Sequence, residues 1–362
     1  MKSLSVGAFG ALGPAAPSFR VRTKVPSAEL ERHGISIRHY PLLDSEQDRT
    51  FHDGSGRQRL QAALQARRAL RTRLAGEEGF DVALVQRQVD LLPSLRLERL
   101  VADGRRLVLD VDDAIWLDAS PAAGGHRLAA LKGTPRKVRW LAERADTVIA
   151  GNELLAEWLG RYSSRVVVVP SLVEHRSIPV REHEQSERVL LGWIGSPSTA
   201  ASLSRLREPL KTLTSAHPEL QVELLVVGGP APDLPGLRIR EEPWSEEGEL
   251  DFLRTVDIGL MPLPDNAWTR GKCAYKALQY MAAGIPVVTD DVGISARAVG
   301  HGEGGLIAGE LSEWSAHLAE LAGDPQLRAR LGRGGRARVA EGFSVETWAP
   351  TLAQILHGRR LT

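Results

Sequence analysis

Residues 256–289 read VDIGLMPLPDNAWTRGKCAYKALQYMAAGIPVVT and hold the densest chemistry in the chain. Asp257-Ile258-Gly259-Leu260-Met261-Pro262 is an apolar run stopped by proline, too short for a helix and suited to a buried parallel strand. Trp268-Thr269-Arg270-Gly271-Lys272 follows as a polar turn with two cations. Residues 276–283 have helical composition and stop at Gly284, and the next strand starts at Ile285. In an open α/β sheet, ligands bind where strands end and helices begin, because N-terminal amides there are unpaired. Arg270, Lys272 and Lys276 at such a junction suit a di- or triphosphate, the plainer alternative being a solvated basic turn. Cys273 between two lysines is either a reactive thiol or a small buried residue.

The elements around this segment alternate. Short apolar strands are expected at residues 4–9, 35–39, 82–86, 106–111, 147–150 and 166–169, and again at 189–194, 221–227, 237–240, 258–261, 286–289 and 305–307. Amphipathic helical stretches separate them, among them 27–33, 57–74, 202–217, 246–255 and 311–323. Strands alternating with helices imply parallel, doubly wound α/β sheets. A polar stretch at 174–188 reads as a linker, which gives a first domain at 1–173 and a second at 189–343. Residues 344–362 include an amphipathic helix with apolar spacing at Val345, Trp348, Leu352, Ile355 and Leu356.

The 256–289 segment resembles the donor site of retaining glycosyltransferases of the GT-B fold, family 4, through DIGLMPLPD and GKCAYKALQYMAAGIPVVT. LGWIGSPST at 191–199 is similar to the strand and glycine turn that opens the second domain in a bacterial subgroup of that family. Gly13-Pro14, the run Ser18-Phe19-Arg20-Val21-Arg22, and residues 108–116 and 148–152 resemble its first-domain landmarks. The resemblance implies two Rossmann-like domains facing across a cleft, with the C-terminal helix crossing back to the first. It implies transfer of a sugar from a nucleotide-diphosphate sugar to an acceptor hydroxyl, with no metal or other cofactor. The leaving phosphate would itself assist deprotonation of the acceptor.

On that pattern the donor residues are Gly195, Ser196, Trp244, Arg270, Gly271, Lys272, Lys276 and Gln279. Asp112 and Asp113 are the candidate catalytic carboxylates facing the cleft, and Gly13, Arg20 and Arg22 the contacts to acceptor or phosphate. The chain departs from the family in two places. Many members carry two glutamates eight positions apart, where this sequence has Gly271 and Gln279. Glutamine still hydrogen-bonds a ribose, but Gly271 offers no side chain to the sugar. After Gly195 no cation appears until Arg205, so Ser196, Ser198 and Thr199 are left to present amides or cap a helix. A GT-B nucleotide-sugar epimerase and a non-catalytic GT-B binding subunit are the alternatives the sequence leaves open.

Composition narrows the partners. The chain has 362 residues, 43% hydrophobic and 25% charged, with a formal net charge of +1, which gives no general case for nucleic acid. Residues 1–180 carry 27 Lys+Arg against 21 Asp+Glu, a net of +6; the remaining 19 and 24 give −5. A basic first domain suits an anionic acceptor, lipid-linked or glycan, or a membrane surface. The arginine-rich stretch at 57–74, with leucines at 60, 64, 70 and 74, either lies on such a membrane or covers the sheet with its leucines. One cysteine allows no intrachain disulfide, and no apolar run reaches the ~18–20 residues of a transmembrane helix. The expected location is the cytoplasm, with peripheral contact at the inner membrane face.

Overall fold

The computed structural model describes residues 3–14, 16–76, 79–117 and 133–359. They divide into two compact units: residues 1–172 with 271–273 and 345–362, and residues 173–270 with 274–344.

The first unit is built on six strands: β1 (Leu4–Gly10), β2 (Ile35–Pro41), β3 (Val82–Gln86), β4 (Arg106–Val111), β5 (Thr147–Ala150) and β6 (Val166–Val168). All pair in parallel, in the order β2-β1-β3-β4-β5-β6. Runs such as VALVQ are buried throughout, as strands covered on both faces must be. The helix Val345–His357 buries Val345, Ala349, Leu352, Ile355 and Leu356 in a core with Val6, Leu30, Val82 and Leu84, so the end of the chain belongs to the first unit.

The second unit repeats the architecture with β7 (Arg188–Ile194), β8 (Gln221–Val227), β9 (Arg238–Glu242), β10 (Ile258–Met261), β11 (Val287–Asp290) and β12 (Gly305–Ala308). Its order is β12-β11-β10-β7-β8-β9, again all parallel. Strand order reverses between β7 and β10, and the crevice beyond the carboxyl ends of that pair is where such sheets hold ligands.

Two expectations need correction. Residues 174–188 are not a free linker. Arg181 pairs with Asp257 at 2.8 Å and a ring nitrogen of His183 meets the Gly284 carbonyl at 2.9 Å, so the stretch packs onto the second unit. The helix Gly56–Gly76 does not cover the sheet with its leucines either. It buries Ala62, Ala63, Ala66 and Leu70, leaving Leu60 52% and Leu64 43% exposed. Its small residues turn inward, and those two leucines turn outward with Arg57, Arg68 and Arg71.

One buried ion pair organises the carboxyl end of β4. Arg22, in the helical turn Arg20–Lys24, grips Asp110 through Nε–Oδ1 at 2.8 Å and Nη2–Oδ2 at 2.9 Å. Its Nη1 donates to the carbonyls of Val169 (3.1 Å) and Pro170 (2.6 Å), beyond β6. Both side chains are almost fully enclosed. Removing one partner strands a buried charge, so Arg22→Ala is expected to cost roughly 3–5 kcal/mol. Arg22→Lys should recover little, since an ammonium cannot reproduce the bidentate grip. Equilibrium urea unfolding of the two variants measures both effects.

Candidate functional site

At the reversal point of the second sheet, β7 ends in Trp193-Ile194, Gly195 follows it, and the facing helix is Tyr275–Ala282. Trp193 is fully buried, and the Lys276 ammonium lies over its ring, 4.1 Å from the centroid. Lys276 Nζ also donates to Thr199 Oγ1 at 3.3 Å. A Cβ on Gly195 would sit 2.5 Å from that Nζ and 2.7 Å from the indole, so only glycine lets the lysine lie across the strand end. Gly228, at the end of β8 with φ +81°, approaches as closely: its Cβ would fall 2.4 Å from the Gly195 carbonyl and 3.2 Å from Trp244 Cβ. Gly195, Lys276, Thr199 and Trp244 are thus assembled around a bare stretch of backbone with one ammonium on it.

Around this centre the other expected donor residues take varied positions. Trp244 packs against the core, and its indole N–H donates to Glu249 Oε2 at 2.8 Å. Gln279 lies one turn beyond Lys276 and is buried. Ser196 does not cap the following helix through its side chain; its hydroxyl instead meets that of Ser198 at 2.9 Å.

The three loop cations do not converge. Arg270 is exposed, and its guanidinium is held bidentate by Asp265 at 2.6 and 2.7 Å. Gly271, Lys272 and Cys273 group with the first unit. There Asn152, which caps the helix Glu153–Leu159, donates from Nδ2 to the carbonyls of Gly271 (3.0 Å) and Lys272 (3.3 Å). Lys272 Nζ stands 3.6 Å from Asp113 Oδ2. Lys276 alone of the three stays with Gly195.

In the first unit, Asp112 and Asp113 are not open bases. Arg87 Nε contacts Asp112 Oδ1 at 2.6 Å, its Nη2 lies 3.6 Å from Asp113 Oδ2, and Gln86 Nε2 donates to Asp112 at 2.9 Å. Arg87 adopts φ +63°, a left-handed conformation that costs a non-glycine residue about 1 kcal/mol. Burial opposes the charge of Asp112, but Arg87 outweighs it and holds the carboxyl below the usual carboxylate range. Cys273 Sγ donates to the Asp112 carbonyl at 3.1 Å; burial, and then Asp112, push the thiol far up, which excludes the reactive thiolate. Arg22, expected to meet an acceptor or phosphate, is locked to Asp110. Gly13 gives its N–H to Asp48 at 3.2 Å, and Arg20, two residues before Arg22, is half-buried.

Arg87, Trp193 and Glu249 were not among the residues expected from sequence; Trp193 stood inside the LGWIGSPST motif, and the other two gave no local signal. Thr199 was expected only to cap a helix or present its amide, and Asn152 stood in the landmark at 148–152 with no role assigned.

Residues 188–324 match the family model described as Glycosyl transferases group 1. A D-inositol 3-phosphate glycosyltransferase of Thermobispora bispora is 31% identical over 40% of this chain and 37% of its own length. The match spans less than half of the curated relatives' length. Among solved structures, the sucrose-phosphate synthase of Thermosynechococcus elongatus aligns at TM-score 0.69 and 14% identity, covering 98% of both chains. HepE of Anabaena, in complex with UDP-glucose, aligns at 0.64 and 15%, covering 98% of this chain and 99% of that one. The fold is GT-B, and the match to the Glycosyl transferases group 1 model lies within its second unit.

The Arg87–Asp112 pair sets a pH dependence. A carboxyl whose folded pKa is lowered adds stability above its unfolded value, near 4, and loses that contribution as pH falls through the folded one. Asp112→Asn is expected to cost about 3 kcal/mol at pH 7. The gap between variant and wild type should narrow in urea unfolding series taken below about pH 4.

Proposed function

We propose that the protein transfers a sugar from a nucleoside diphosphate sugar to an acceptor hydroxyl, with retention of anomeric configuration and without a divalent metal. The observation that carries this is Lys276 stretched over Trp193 against the bare backbone of Gly195, within the segment that matches Glycosyl transferases group 1. An ammonium fixed at the carboxyl end of a central strand is preorganised for charge developing on a diphosphate leaving group. Such a fixed cation supplies part of what a metal would otherwise supply.

The chemistry follows from the carboxylates being engaged. With Asp112 held by Arg87, and Asp113 flanked by Arg87 and Lys272, no first-unit aspartate of this cluster is placed as a general base. The bond from the anomeric carbon to the diphosphate oxygen breaks while the acceptor oxygen approaches from the same face. The departing phosphate oxygen takes the acceptor's proton. Gln279, next along the helix from Lys276, is the candidate for the ribose hydroxyls. UDP is the first nucleotide to test, being the one present with HepE. The acceptor is a hydroxyl of a sugar or polyol, as the name of the Thermobispora bispora relative suggests.

Purified protein supplied with UDP-sugars and lipid or glycan acceptors should release UDP. Lys276→Ala should lower kcat about 10²–10³-fold, the range for losing one preorganised donor. EDTA should leave the rate unchanged, and the product's anomeric proton coupling should match the donor's. An unaltered kcat in the alanine variant would reject the role given to Lys276. Loss of activity in EDTA, restored by Mg²⁺, would reject the metal-free mechanism.

We also propose that the acceptor lies at an anionic membrane face. The helix Gly56–Gly76 carries six arginines and no acidic residue, and turns Leu60 and Leu64 outward with Arg57, Arg68 and Arg71. That combination suits a helix lying in a lipid headgroup layer. Among the described residues no helix is long and apolar enough to cross a membrane. The lone, buried cysteine fits a reducing, cytoplasmic setting. The protein should sediment with phosphatidylglycerol vesicles and not with phosphatidylcholine vesicles. Leu60→Glu with Leu64→Glu should abolish sedimentation at unchanged thermal stability, and equal binding to both vesicle types would overturn the assignment.

A further inference from the structure

Just beyond the carboxylate cluster, the first unit holds a pair of tryptophans that the donor chemistry does not use. Trp116 lies in the turn that follows Asp112 and Asp113, a turn closed by Ile115 N–H to Asp113 (2.8 Å) and Leu117 N–H to Ala114 (2.9 Å). Its indole stacks on Trp158, with centroids 3.8 Å apart and planes within 7°. Trp158 sits on the helix Glu153–Leu159, whose cap Asn152 also holds the Gly271 and Lys272 carbonyls. Behind Trp158, Tyr162 meets it edge-on at 4.9 Å, and Arg139 lies over Tyr162 at 5.4 Å. Both tryptophans are only half-buried.

Two features separate this stack from ordinary core packing. Trp116 is covered by an aromatic ring on one side, and among the described residues no ring or cation lies over its other face. Neither indole N–H donates to a protein acceptor among the described residues, although tryptophans that pack for stability generally find one. The result is a flat apolar surface backed by a second ring, with two N–H donors at its edge that no acceptor among the described residues takes. It is fixed to the same turn and the same helix cap that hold Asp113 and Lys272.

We propose that the Trp116–Trp158 stack is the platform on which the acceptor's sugar ring lies. A pyranose has an apolar face of polarised C–H bonds and a rim of hydroxyls. The face matches the negative surface of an indole, and the rim matches the indole N–H groups and the charged residues of the adjoining turn. A phosphate would use only the N–H groups, and a simple alkyl chain only the ring face. The proposal rests on the glycosyl-transfer reading and names the acceptor class for it: a glycoside presenting a pyranose ring, with Trp116 and Trp158 setting specificity.

The experiment needs no donor, so its outcome is separable from that reading. Saturation-transfer NMR is run on the full chain with methyl α- and β-glycosides of glucose, mannose and galactose. At least one should show saturation of its ring C–H protons. The effect should fall at least tenfold in Trp116→Ala and be retained in Trp116→Tyr. Trp116→Leu keeps apolar volume without a ring and serves if the alanine variant does not fold; it too should lose the signal. With an active acceptor in hand, Trp116→Leu should raise the acceptor KM at least tenfold and leave UDP-sugar binding, followed by thermal shift, unchanged. The proposal is overturned if no glycoside binds the wild type, or if Trp116→Leu binds as the wild type does. Failure of the UDP-sugar thermal shift alone would count against the donor assignment and leave the platform standing.

Discussion

The sequence LDVDD ends a central strand with three carboxylates in four residues, Asp110 fully enclosed and Asp112 and Asp113 only partly open to water. Everything at that edge of the first unit answers this constraint. Arg22 is drawn inward to Asp110 and, with its remaining donors, ties the ends of β4 and β6 together. Arg87 takes Asp112 and leans toward Asp113. The left-handed backbone at Arg87 is a strained conformation that an over-determined surrounding can hold. Lys272 closes the set against Asp113. Breaking such a network is far costlier than never having built it, because each lost cation leaves a buried charge without its partner.

The second unit meets a different requirement. Its site is made by omission: glycines at 195 and 228 remove the side chains that would separate a lysine from bare backbone. Trp193 then serves as a floor, holding the ammonium by its ring face while the charge stays directed at the strand end.

Much of this was legible in the sequence, and the reasons are physical. Buried parallel strands are continuous apolar runs, so 82–86, 106–111, 147–150, 221–227 and 258–261 coincide with β3, β4, β5, β8 and β10. Gly195 and Lys276 were each legible as donor residues, one in the glycine turn after a strand and the other at a helix start, but their contact was not. Partner choice among charges was not. Arg270 turned to Asp265, five residues before it, and Asn152 reached a loop 119 residues away; neither preference leaves a periodic trace. The helix Gly56–Gly76 misled for another reason. Hydrophobicity points to its leucines, whereas the face it buries is mostly alanine.

The lone cysteine has a practical consequence. Cys273 is enclosed between Gly151 and the Asp112 carbonyl, so tightly that a methyl on Gly151 would reach within 2.4 Å of its sulfur. Its thiol stays protonated at neutral pH. Maleimides and similar reagents need an accessible thiolate, so the folded molecule is blank to them as it stands. A cysteine introduced on any exposed surface would carry a fluorophore or spin label alone. The native residue can stay in place as the small buried group that its neighbours are shaped around.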